Sequence, residues 1–280
     1  MHQQELDATP ATVEETRNAV IGRSGRNAAP IRKTFVQTPR SEATDPTNLA
    51  GPLSQFVTHR DLRALNAYLL ILAATSSGDG DDGWSTTHPI MVWARAFGTT
   101  RDAARPSAAN AVSKILHRLE QRHLIERGRR GRERRIQVTL LREDGSGKPY
   151  TRPLGATKLD RFLNLNHAFW TDGWCDRLKL PGLAMLLVAL HETGRNKPYF
   201  RLPSERAPEW YGWSADTTER GLAELREHGL LHKISRVRKE PLSPSGLGRV
   251  NDYYLLRPFG HVDSKTVLNA EVEAALERTP

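Results

Sequence analysis

Two nine-residue stretches of this chain are near-copies of each other, and that echo calls for a fold built twice. LEQRHLIER (Leu119–Arg127) and LREHGLLHK (Leu225–Lys233) align at a constant offset of 106, with the leucine, the break and the first strand residues in register. Leu116 then falls on Leu222, and Leu140-Leu141 resembles Leu255-Leu256. Such an internal repeat is more diagnostic than either copy alone. A length of 280 residues suits one to two domains with real cores.

The first copy carries the chemistry. Ala108–Arg142 reads as a helix running into a basic hairpin. On a helical wheel Asn110, Ser113, Lys114, His117, Arg118 and Gln121 share one face, and Val112, Ile115, Leu116 and Leu119 share the other. After a break at His123, Leu124–Glu126 and Arg135–Leu141 read as strands, the second alternating Ile136, Val138 and Leu140 with Gln137, Thr139 and Leu141. RGRRGRER between them has two glycines suited to a turn and more arginine than a fold can bury. A polar-faced helix suits a DNA groove, and an arginine-tipped hairpin suits the backbone beside it. The plain alternative is a surface helix and hairpin bearing solvated charge. Against it, residues 101–142 hold twelve Lys+Arg and four Asp+Glu, a balance of +8 when the whole chain is only +9. That local excess is the footprint expected of a nucleic-acid contact.

Composition removes several other classes. One cysteine, Cys175, rules out an internal disulfide framework and a Cys-based zinc site, and its WCDRL context suits a small buried residue. No apolar run approaches membrane-spanning length, and MHQQELDATP is no signal peptide, so a cytoplasmic, nucleoid-associated protein is expected. The histidines are scattered, no HExxH or dinucleotide fingerprint appears, and GSGK lacks both the upstream glycine and the Ser/Thr of a P-loop. Tyr253-Tyr254 reads as strand packing and His191-Glu192 as the end of a helix. No catalytic residue, metal or cofactor is expected.

In order along the chain, residues 1–57 lack apolar periodicity and read as a disordered tail, acidic over Glu5–Glu15 and basic over Arg17–Arg40. Ile31–Arg40 is the one piece suited to docking, on DNA or on the folded body. Residues 58–142 form the first unit. A leucine-rich helix follows His59 and ends at SSGDGDDG. The HPIMVWARAFG helix (His88–Gly98) and a TTRDAARPS loop follow, and the Arg101 and Arg105 of that loop could approach phosphate. Residues 143–160 read as a linker. Residues 161–259 form the second unit, with RFLNLNHAFW a candidate strand, PGLAMLLVALHETG an apolar helix, and a short helix ending at Gly212. Ser214 would cap the next helix, which runs into LLHKISRV and RVNDYYLL. Residues 260–280 hold a short amphipathic helix. The expected class is therefore mainly α, with small β-hairpin wings.

The stretch Trp170–Phe259 (FWTDGW, LPGLAMLLVAL, EWYGWSADTTERGLAEL, HGLL and the paired strands) resembles tandem winged-helix proteins of GC-rich bacterial genomes. Over residues 59–259 both units resemble winged helix-turn-helix regulators of the repressor type and plasmid replication initiators. The resemblance implies duplex-DNA binding and is weak for biological role.

The leading expectation is a sequence-selective double-stranded DNA-binding protein, a transcriptional regulator. Asn110, Ser113, Lys114, His117, Arg118 and Gln121 would face the major groove. Arg127, Arg129, Arg130, Arg132, Arg134 and Arg135 would hold phosphates or enter the minor groove. The second helix presents Asp216, Thr217, Glu219, Arg220, Glu224 and Glu227, a net acidic face, with cations gathered in the hairpin at Lys233, Arg236, Arg238 and Lys239. That unit would touch DNA through Thr217, Arg220 and its hairpin, or pair with a protein. The alternative is an adaptor or replication-type initiator whose second unit and tails recruit partners; a homodimer is the further possibility.

Overall fold

The computed structural model describes residues 9–75, 83–101, 104–131 and 135–276. The chain begins with α1 (Val13–Gly22), held by a capping box in which Thr12 and Glu15 bond each other's backbone. Strand β1 (Ala28–Arg32) and helix α2 (Leu53–Thr58) follow. Val20, Ile21, Ile31, Phe35, Leu53 and Phe56 are all buried. This overturns the reading of residues 1–57 as a disordered tail wherever they are described. Ile31–Arg40 docks on the folded body. The acidic stretch before residue 9 and most of SSGDGDDG lie outside the described residues.

The first unit comprises α3 (Leu62–Ala74), β2 (Ser85–His88), α4 (Ile90–Ala96), α5 (Arg105–Gln121), β3 (Ile125–Arg130) and β4 (Arg135–Leu140). Between the units run β5 (Phe162–Asn166), α6 (Ala168–Thr171) and α7 (Trp174–Arg177). The second unit repeats the order with α8 (Leu180–Glu192), β6 (Tyr199–Phe200), α9 (Ala207–Tyr211), α10 (Ala215–Glu227), β7 (Leu231–Lys239) and β8 (Leu247–Leu255); α11 (Ser264–Leu276) closes the chain. All three sheets are antiparallel: β2-β4-β3, β6-β8-β7, and a two-stranded β1-β5.

The mainly-α expectation is therefore corrected. Among the described residues helix accounts for about 45% and strand for about 22%, a mixed α/β chain. Sequence pattern alone predicts a bare hairpin in each unit, yet each hairpin gains a third strand from between its first two helices. In β2, SerThrThrHis carries no aliphatic residue; it is a strand because it pairs with β4 from Ser85↔Thr139 to His88↔Ile136.

One continuous core joins both units and the N-terminal segment. Residues 143–160 are not a free linker either. Glu143 and Tyr150 are buried, and Arg32 on β1 bonds Glu143 at 2.6 Å, Thr151 at 2.8 Å and Asp160 at 3.0 Å. On α11, Val267 and Ala270 pack against Ile234 and Tyr254, so this helix seats on its own unit, as its periodicity suggests.

The two units solve one problem with a carboxylate drawn from different elements. Helices α3 and α8 are both 13 residues long, preceded by Asp61 and Lys179 respectively. Asp61 caps α3 by accepting from the Ala64 amide (3.3 Å), and Arg118 on α5 pairs with it at 2.8 Å. At α8 the carboxylate comes from the other helix. Glu224, which the 106-residue offset places on Arg118, accepts from the amides of Lys179 (2.6 Å) and Gly182 (3.1 Å). Either way a carboxylate meets the positive end of the first helix.

Candidate nucleic-acid interface

Pro106 in its first turn starts α5, and Ala108, Val112, Ile115, Leu116 and Leu119 bury its inner face. The outer face exposes Arg105, Asn110, Ser113, Lys114, His117 and Gln121. Its one carboxylate, Glu120, is engaged. It takes the Arg127 side chain at 2.5 Å and the Arg127 amide at 3.0 Å, while Arg127 also donates to the Ser113 carbonyl at 3.2 Å. His117 lies 3.9 Å from the same carboxylate. Arg127 thus fastens β3 to α5 and fixes how the hairpin stands relative to the helix. It is a positioning residue more than a phosphate ligand.

The hairpin turns at Gly131, whose φ of +68° is a conformation side-chain-bearing residues rarely adopt. Its base is held by buried Ile125, Val138 and Leu140, and by the Trp93 indole N–H donating to the Ile136 carbonyl (3.1 Å). Arg129, Arg130 and Arg135 are exposed along it, with Arg130 directly opposite Arg135. Arg132 and Arg134 lie outside the described residues. Among the described residues no carboxylate pairs with Arg105, Lys114 or Arg129.

Two of the expected contacts are used elsewhere. Arg118 is committed to Asp61, joined there by Arg122 at 3.1 Å. Arg101 pairs with Glu14 and, at 2.8 Å, with Asp176, which also takes Arg17 at 2.6 Å. Both arginines are spent on the fold because their partners, far off in sequence, meet them only after folding. Burial by itself would raise the Asp176 carboxyl, but bonds and charge from Arg101 and Arg17 hold it down at about 2. A carboxylate depressed in the folded state stabilises above its ordinary range and loses that contribution as pH falls. Asp176→Asn should therefore cost about 1–2 kcal/mol at pH 7 and less and less below pH ~4, measured by urea unfolding across that range.

The second unit is poorer in available cations. Thr217 lies with its hydroxyl 3.0 Å from that of Ser214, the helix cap, and Arg220 pairs with Asp216 at 2.9 Å. Arg236 is structural, bonding Asp252 at 2.9 Å and the Ala270 carbonyl at 3.3 Å. Arg238 sits 3.8 Å from Glu240, Lys233 is half-buried and Lys239 is exposed. Glu224, read from sequence as part of a solvent face, is turned onto α8. Sequence reasoning placed Arg226 at the border of the helix face and missed Arg201 and Arg249. These three join Lys233, Arg238, Glu205, Glu219 and Glu240 around a groove of about 570 Å³ between α10 and the β7–β8 hairpin, with Arg201 held by Asp252 at 2.5 Å. Only the hairpin register, with Arg249 opposite Val237, puts Arg249 on that side.

Cys175 is buried, its thiol pushed up to about 11 chiefly by burial, and Arg17 donates to its sulfur at 3.1 Å. Among the described residues no group of three or more His, Cys, Asp or Glu could hold a metal, and no helix is long and apolar enough to cross a membrane. Comparison with family models, with curated proteins and with solved structures gives no match.

Proposed function

We propose that this chain binds duplex DNA sequence-selectively through its first unit, as a regulator of the winged-helix kind. Helix α5 enters the major groove, and the β3–β4 hairpin follows the backbone or minor groove. The observation that carries this reading is an exposed surface poor in carboxylates. Arg105, Asn110, Lys114, His117 and Gln121 share it with Arg129, Arg130 and Arg135, at an angle set by the Arg127–Glu120 clasp. Asn pairs well with adenine and Lys with guanine, while hairpin arginines supply charge without sequence preference.

Binding-site selection from random duplexes, followed by fluorescence anisotropy, tests the reading. With about five phosphates neutralised, log affinity should fall against log salt with a slope of about −4 to −5. Arg129→Ala/Arg130→Ala/Arg135→Ala should weaken every duplex about 10- to 100-fold and make the slope shallower by about 3. Asn110→Ala or Lys114→Ala should instead relax selectivity, by about 1–3 kcal/mol per lost bidentate contact. A triple-arginine variant that binds as tightly as the parent defeats the assignment.

A second reading, an adaptor or initiator-like protein whose second unit meets a protein, is favoured by the acidic side chains Asp216, Glu219 and Glu227 that α10 exposes. Under it, footprints stay confined to the α5 surface.

A further inference from the structure

Among the described residues strand β5 is paired on one side only, to β1. The ladder continues beyond the strand ends through Lys33 N–H to the Arg161 carbonyl and His167 N–H to the Asn27 carbonyl, both 2.8 Å. In an antiparallel pair, hydrogen-bonded and non-hydrogen-bonded positions alternate. Arg161, Leu163, Leu165 and His167 therefore spend their backbone groups on β1. The N–H and C=O groups of Phe162, Asn164 and Asn166 point to the other edge. The far edge of β1 is closed by contrast: Pro30 has no N–H there, and the Arg32 amide donates to Glu143 at 3.2 Å.

The open edge borders a groove of about 840 Å³, walled by the end of α8 and by residues 257–261. Its charged lining is Lys33, Arg161 and Arg257, with His261 alongside and no Asp or Glu. Lys33 donates to the His191 carbonyl, which uses one of its three donors. The nearby Glu192 is already held by Lys197 at 3.0 Å and His191 at 3.0 Å. An unpaired strand edge is a template for another strand, and natural folds usually blunt it. Here, among the described residues, it is left bare and bordered by positive charge.

We propose that this groove takes an extended acidic peptide segment of a partner protein, added to β5 as a third strand of the β1-β5 sheet. Only a polypeptide in β conformation offers amide and carbonyl groups at the repeat of alternate strand residues, about 6.8 Å. A single nucleic-acid strand would satisfy the cations but leave those backbone groups unmatched. The surface is separate from α5 and the first hairpin, so the inference stands apart from the DNA reading.

The test uses the full chain and a fluorescein-labelled heptapeptide of alternating Glu and Val, read by anisotropy. Binding in the micromolar range is expected, weakened about tenfold or more by Arg161→Glu/Arg257→Glu. Asn164→Pro removes an outward N–H that β1 does not use, so it should weaken the probe while leaving the thermal midpoint of the protein in place. Two N-methylated probes, one methylated at the Glu amides and one at the Val amides, give the sharpest result. A strand added at the edge loses about tenfold or more with one of them and almost nothing with the other. Equal binding of both, equal binding of a Lys/Val peptide, or displacement of the probe by a thymidine oligonucleotide of higher affinity each overturns the proposal.

Discussion

Arg32→Met is expected to lower the unfolding free energy by about 3–5 kcal/mol at pH 7. The Arg32 side chain is 1% exposed and its partner Glu143 is 0% exposed, with 2.6 Å between their charged atoms. Burial pushes the Glu143 carboxyl up even with the guanidinium beside it. Without the guanidinium only backbone amides are left to offset that charge, and the carboxyl stays protonated to higher pH. A group whose folded pKa lies above its unfolded value costs stability once pH climbs past the unfolded value. The loss should therefore be smallest near pH 4 and grow toward neutrality, as read by urea unfolding at both ends. Arg32→Met/Glu143→Gln should recover part of it, because the uncompensated charge is then gone. A loss that does not change between pH 4 and 7, and is not relieved in the double variant, would mean the pair is not the source.

The second large effect runs against helix propensity. Gly221 lies inside α10, where glycine costs about 1 kcal/mol relative to alanine. Propensity alone thus makes Gly221→Ala stabilising. The structure reverses the sign. A Cβ at 221 would fall 2.3 Å from the Pro181 carbonyl oxygen and 2.5 Å from the Met185 Cγ. The oxygen is backbone at the start of α8 and cannot swing aside. We expect a net loss of about 2–4 kcal/mol in denaturant unfolding, with little change in duplex affinity for the protein that remains folded. An unchanged or raised midpoint would show that the two helices do not approach this closely in solution.

What the sequence could show, and what it could not, follows from the range of the interactions involved. The faces of α5, the break after it, the Ser214 cap and the repeat all depend on neighbours within a few residues, and pattern alone places them. The N-terminal segment was misread because its apolar residues have no period. Ile31, Phe35 and Phe56 come singly, and what makes them core is a surface supplied by α3 and its neighbours. The pairing of Ala28 with Asn166 and the pairing of Ser85 with Thr139 are equally non-local. The candidate site divides in the same way. Exposure of Lys114 and Arg129 was legible from helix phase and hairpin length. The capture of Arg101 by Asp176 and of Arg118 by Asp61 was not, since no local signal distinguishes a bound arginine from an available one.

The different sources of the carboxylate at the starts of α3 and α8 bear on how a chain of two look-alike halves avoids assembling crosswise. Were α10 to settle on α3 while the polypeptide is still collapsing, Glu224 would confront Asp61; were α5 to settle on α8, Arg118 would bring a guanidinium, which accepts no bond, to the amides that Glu224 serves. The first mismatch sets like charge against like and the second leaves helix amides without an acceptor, each where the correct docking closes a bond. Crosswise docking is therefore disfavoured at both helix starts.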